Sequence, residues 1–189
     1  MTPPPSSLLT AAPFRLTPRW SYSPERRDAI DTLVIAHDDP RLVELLEQLL
    51  PPEHTATLAI PQGHWDFRDP ALAELVACAV RELPAKNLLL VAHSQGGDPE
   101  HPHGERWNPP TGGDPRTRIR RWRSQVAQAE AHFVEQLARL AEVPVADGRA
   151  VAGSLRLEGV LYRAEAGAFV AYDRARGEFR CLESGEVAQ

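Results

Sequence analysis

"LLVAHSQGG", residues 89–97, is the stretch on which the reading of this chain turns. An apolar run ends in His93-Ser94, and two glycines follow. Ala92-x-Ser94-x-Gly96 has the spacing of a nucleophile elbow, with Ser94 as the nucleophile of a serine hydrolase. An elbow needs a helix straight after the serine, because the strand-to-helix turn is what exposes the hydroxyl. Here Gly96, Gly97, Pro99 and Pro102 follow, a run that opposes a helix. A triad also needs an acid and then a histidine on later loops. Downstream stand only His101, His103 and His132; the first two fall in the next loop and the third inside a helical stripe. The hydrolase is therefore kept as an alternative, beside a reading in which His93 is the working residue.

Outward from this stretch, strands and helices alternate. Residues 32–36 form a short apolar run of the parallel-strand type. Leu42, Leu45, Leu46 and Leu49 then recur at helical spacing. Residues 55–60 read as a second strand. Asp69-Pro70 supplies an N-cap and a proline at the first helical position, and Leu72, Leu75, Val76, Ala79, Val80 and Leu83 line the helix behind it. Residues 87–92 are the third strand. This order is the signature of a parallel α/β sheet. Residues 98–113 are a Pro/Gly-rich loop, after which Asp114-Pro115 opens a long helix. Its expected buried stripe is Ile119, Trp122, Val126, Ala129, Phe133, Leu137 and Leu140. Segments 154–163, 168–173 and 178–182, parted by turn glycines, predict a β-meander.

Composition bounds the function. A chain of 189 residues with 42% hydrophobic content suits one soluble domain. Residues 1–29, rich in proline, form an N-terminal arm, and 30–189 the domain. Phe14, Trp20 and Tyr22 give the arm something to pack with, a partner subunit among the candidates. A net charge of −5 gives no reason to expect nucleic acid. No apolar run is long enough to span a bilayer. The first residues lack the basic and apolar regions of a signal peptide, so a cytoplasmic protein is expected. Two distant cysteines, Cys78 and Cys181, predict neither a disulfide framework nor a Cys-rich zinc site; both read as packing residues.

A second stretch, "VIAHDDPR" at 34–41, pairs with the first. It resembles the first metal motif of the β-class carbonic anhydrases, a strand followed by Cys-x-Asp-x-Arg. "LLVAHSQGG" resembles their second motif, a strand ending in His-x-x-Cys. The C-terminal "GSLRLEGVLYRAEAGAFVAYD", residues 153–173, resembles their closing strand and hairpin. The resemblance covers roughly residues 30–182. It implies an α/β fold of that type: a mainly parallel sheet flanked by helices, with a C-terminal antiparallel meander. It also implies a homodimer with sites near the interface.

Position by position, the resemblance puts His37 at the first cysteine ligand and Gly96 at the second. His93 falls at the histidine ligand, and Asp39 and Arg41 at the aspartate–arginine dyad. In the family two thiolates and an imidazole hold zinc, which lowers the pKa of bound water towards 7 so that hydroxide attacks carbon dioxide. The aspartate orients that hydroxide and the arginine holds the aspartate. With two ligands changed, the expectation is a protein without the usual zinc site and without efficient CO2 hydration. It would bind a small anion such as bicarbonate, or a partner, and retain Asp39 and Arg41 as its catalytic remnant. Arg41 is the expected anion contact, and His64 lines the pocket or sits in a surface turn anchored by Trp65. The alternative is a hydratase or hydrolase with zinc relocated to His37, Asp39 and His93. Asp38 is expected to cap the first helix. Arg116, Arg118, Arg120, Arg121 and Arg123 are read as a solvated face or an intersubunit pairing surface. His132 is read as a helix-face residue.

Overall fold

The computed structural model describes residues 19–22, 24–61, 65–94, 114–151, 153–164 and 166–182. In chain order these form β1 (Arg19–Ser21), a 3-10 turn (Pro24–Ala29), β2 (Thr32–His37), α1 (Pro40–Leu49), β3 (Thr55–Ile60), α2 (Pro70–Glu82) and β4 (Asn87–His93). Then follow α3 (Pro115–Glu142), α4 (Pro144–Val151), β5 (Arg156–Arg163), β6 (Ala168–Asp173) and β7 (Glu178–Cys181). The strands make one sheet in the order β1-β3-β2-β4-β5-β6-β7. Strands β3, β2, β4 and β5 run parallel. Strand β1 and the β5-β6-β7 meander are antiparallel additions at the two ends. The parallel α/β sheet with a closing meander is as expected.

The apolar runs behave as central strands must. Every residue of β2 after Thr32 is buried, because helices cover both faces. Val34, Ala36 and Val91 pack under Leu42, Leu46 and Leu50 of α1 and its C-terminus. Leu33, Ile35, Leu88 and Leu90 join the larger core with Val76, Val80, Phe133, Leu137 and Leu140 of α2 and α3. Gly159 of β5 lets α3 come close. A Cβ there would lie 2.6 Å from Leu137 Cδ2 and 3.0 Å from the Phe133 ring.

The Asp-Pro pairs set the helix starts. Asp69 Oδ1 accepts the Ala71 N–H at 2.9 Å, and Asp114 Oδ1 accepts the Arg116 N–H at 2.8 Å. Helix α1 departs from expectation by one residue. Its cap is Asp39, in extended backbone, with Oδ1 accepting from the Arg41 N–H at 2.8 Å and the Leu42 N–H at 3.3 Å. Pro40 at the first helical position fixes that register. Asp38 instead pairs with Arg19 at 3.3 Å, tying β1 to the end of β2. Two elements were not foreseen: the edge strand β1 and helix α4. Trp20 and Tyr22 pack against this chain's own core. Cys78 is half-buried, whereas Cys181 is exposed on the last strand, not packed.

Candidate functional site

Parallel topology brings the carboxyl ends of β2 and β4 together, the position at which open α/β sheets carry their sites. His37 closes β2 and His93 closes β4. Both are buried, at 3% and 7% exposure. Their rings meet edge to face, centroids 5.1 Å apart. Asp39 stands two residues beyond His37, and its Oδ2 lies 3.4 Å from His93 Nε2. The carboxylate is thus fixed on two sides: Oδ1 by the first N–H groups of α1, Oδ2 by the imidazole. This contact favours the tautomer of His93 with the proton on Nε2.

Trp65 completes the cluster and was read in the sequence only as a packing anchor. It is buried, and its ring sits edge to face with His37 at 4.1 Å between centroids. Gln136 holds the loop that carries it. Fully buried on α3, its Oε1 accepts the Phe67 N–H at 2.9 Å. Nothing in the sequence signals this bond, since it joins residues 69 apart and Gln136 stands in an apolar stripe.

Burial dominates the electrostatics. It holds the His37 pKa well below 6.5, and His93 and His132 lower it further. His37 is therefore neutral, yet neither ring nitrogen has a hydrogen-bond partner among the described residues. An unmet buried nitrogen of this kind costs about 1–3 kcal/mol. Burial also lowers the pKa of His93, while the Asp39 charge raises it in part.

His37, Asp39 and His93 are thus brought together. Among the described residues no three His, Cys, Asp or Glu side chains are placed to hold a metal ion. His37 presents its ring to Trp65, and Asp39 spends its oxygens on the α1 cap and on His93. A site built for zinc would converge its donors on one point. Arg41 meets Asp39 through its backbone N–H; its side chain is exposed in the first turn of α1, and no ion pair joins it to Asp39. His64 and Gly96 lie outside the described residues, as do His101 and His103. Ser94 is buried: its N–H donates to the Tyr162 carbonyl at 2.9 Å, and its Oγ accepts the Ala164 N–H at 3.3 Å. These bonds stitch β4 to the end of β5. His132 is half-buried on α3. No helix among the described residues is long and apolar enough to cross a membrane.

No family model matches the chain, and no curated protein matches it. Solved structures do. The β-carbonic anhydrase CcaA superposes with a TM-score of 0.54 at 17% identity, covering 82% of this chain and 85% of that one. A tetrameric β-carbonic anhydrase from the filamentous ascomycete Sordaria macrospora gives 0.54 at 17% identity, over 76% and 81%. CafA, a β-carbonic anhydrase of the fungal pathogen Aspergillus fumigatus, gives 0.53 at 20%, over 85% and 80%. The chain therefore has the fold of the β-carbonic anhydrases.

Proposed function

We propose that this chain is a β-carbonic-anhydrase-like protein that has given up the thiolate zinc centre and efficient CO2 hydration, and that it binds a small anion of the bicarbonate class at the β2–β4 end. The observation that carries this reading is the state of His37. The residue at the first thiolate position is a neutral, buried imidazole set against Trp65. Gly96 at the second thiolate position offers no donor side chain. Replacing two thiolates by neutral groups leaves the Asp39 carboxylate, which accepts from the first N–H groups of α1 and lies against the neutral His93. Arg41, exposed in the first turn of α1, supplies a positive charge two residues from Asp39. Losing two thiolate charges makes this end of the sheet more receptive to an anion than a thiolate centre would be.

The test is a titration with bicarbonate followed by calorimetry, beside a stopped-flow CO2 hydration assay. Saturable bicarbonate binding that Arg41→Ala abolishes, with hydration at the uncatalysed rate, is expected. Rapid hydration would overturn the reading.

A second reading has one observation in its favour. Both His37 nitrogens lack a hydrogen-bond partner among the described residues, and a divalent ion held by His37, Asp39 and His93 would satisfy one of them. Such an ion would lower the pKa of its bound water to about 7. It would also require Asp39 to leave the positions it holds on α1 and His93. As part of the first reading we take the chain to be a homodimer. We also place it in the cytoplasm, where its two free thiols, Cys78 and Cys181, remain reduced.

A further inference from the structure

Helix α3 is longer than the sheet it packs on. Its 28 residues span about 42 Å at 1.5 Å per residue. The seven residues of β4 span about 23 Å at 3.3 Å each. The buried residues of α3, namely Ala129, Phe133, Gln136, Leu137 and Leu140, all lie in its C-terminal half. Glu130 pairs with Arg163, the last residue of β5, so this turn sits level with the carboxyl ends of the strands. The preceding half overhangs that edge by roughly 20 Å.

The overhang is not a polar helix. Ile119, Trp122 and Val126 continue the stripe that Ala129, Phe133, Leu137 and Leu140 bury on the sheet. Ile119 is 51% exposed, and Trp122 and Val126 are only half-buried. Arg116, Arg118, Arg120, Arg121 and Arg123 surround the stripe, and no acidic residue occurs from Pro115 to Ala129. A helical segment of this length is marginal by itself in water, and like charges one turn apart weaken it further. Covering the stripe and facing the arginines with carboxylates offsets both costs.

Among the described residues one other large hydrophobic side chain is strongly exposed: Leu49 on α1, at 41%. It lies one turn from the half-buried Leu45, with the exposed Glu44 and Glu47 beside them and Glu53 just beyond the helix. This surface carries the opposite sign to the α3 overhang. A contact between two α3 overhangs would instead set arginines against arginines.

We propose that the overhanging half of α3 docks on the outer face of α1 of a second copy of this chain. Ile119, Trp122 and Val126 cover Leu45 and Leu49, and the arginines face Glu44 and Glu47. A two-fold axis repeats the contact, so each chain both gives and receives an overhang. The inference rests on the homodimer reading and names its surface.

Sedimentation velocity of the full chain across a range of concentration and salt tests it. Wild type is expected at twice the monomer mass, dissociating as salt rises. Ile119→Asp, Arg120→Glu with Arg121→Glu, and Glu44→Arg with Glu47→Arg should each raise the dimer dissociation constant at least tenfold, with cooperative thermal unfolding of the core retained. Mixing the two charge-reversed proteins is the sharper arm. In the mixed dimer one contact has both signs exchanged and the other is wild type, so a heterodimer should re-form. That rescue also shows that both variants are folded. A monomeric wild type would sink the homodimer reading and the surface together. A wild-type dimer that all three variants leave intact would sink the surface alone, as would charge-reversed monomers that fail to pair on mixing.

Discussion

Lowering the pH from about 7.5 to about 5.5 should strip stability from this fold through His37. Burial first, and then His93 and His132, hold its folded pKa well below 6.5. In the unfolded chain the same imidazole titrates near 6.5. Between those two values the unfolded state binds a proton that the folded state refuses, so stability falls as pH falls. For an imidazole that stays neutral in the fold, the loss is about 1.4 kcal/mol at pH 5.5, against less than about 0.1 kcal/mol at pH 7.5. His93 adds to the loss in the same direction, since burial lowers its pKa too, with Asp39 opposing. The assay is urea unfolding followed by tryptophan fluorescence at half-unit pH steps, with chelator present. With a urea slope of about 2 kcal/mol/M, the His37 contribution moves the midpoint by about 0.7 M. His37→Phe removes the titrating group and keeps an aromatic ring beside Trp65. Its midpoint should fall less with acid than that of wild type, by this amount. Parallel profiles for the two proteins would refute the claim that His37 is buried and neutral.

Other consequences are independent of that titration. Gly159→Ala forces a methyl group against Leu137 and Phe133 and should cost about 1–3 kcal/mol in thermal unfolding. Gly148→Ala in α4 meets nothing within 4 Å and should stabilise by about 0.5–1 kcal/mol. Gln136→Leu leaves the Phe67 N–H buried and unpaired. It should cost about 1–3 kcal/mol and shift the emission of Trp65, which that loop positions. Asp39→Ala removes the cap of α1, at about 1 kcal/mol. It also removes the charge that raises His93, so a ring-proton NMR titration should find the His93 pKa lower still.

Much of this was legible in the chain because it is local. Three Asp-Pro pairs mark helix starts by one mechanism, a carboxylate on the first free N–H groups with a proline already in helical geometry. In the first pair the residue next to proline does the capping, so Asp39 and not Asp38 is the cap. The apolar runs of β2 and β4 carry their burial on both faces in their composition. Strand β1, three residues reading Arg-Trp-Ser, is too short and polar to show a period. Helix α4 follows α3 after one residue and contains a glycine, so its sequence reads as a loop. Of the site, His37, Asp39 and His93 were found through the resemblance of two short motifs, at 34–41 and 89–97, to the metal motifs of the β-carbonic anhydrases. Trp65 against His37 and Gln136 against Phe67 depend on packing between distant segments, which spacing does not encode. The apolar stripe of α3 was legible, but a stripe is the same whether it lies on a sheet or overhangs it.

The central claim is that the strand-end cluster of His37, Asp39 and His93 is not a zinc centre. Elemental analysis of protein purified without added metal and without chelator tests it most directly. The expected result is zinc far below one ion per chain, unchanged by His93→Ala. Close to one zinc per chain, lost on His93→Ala while the fold is retained, would contradict it.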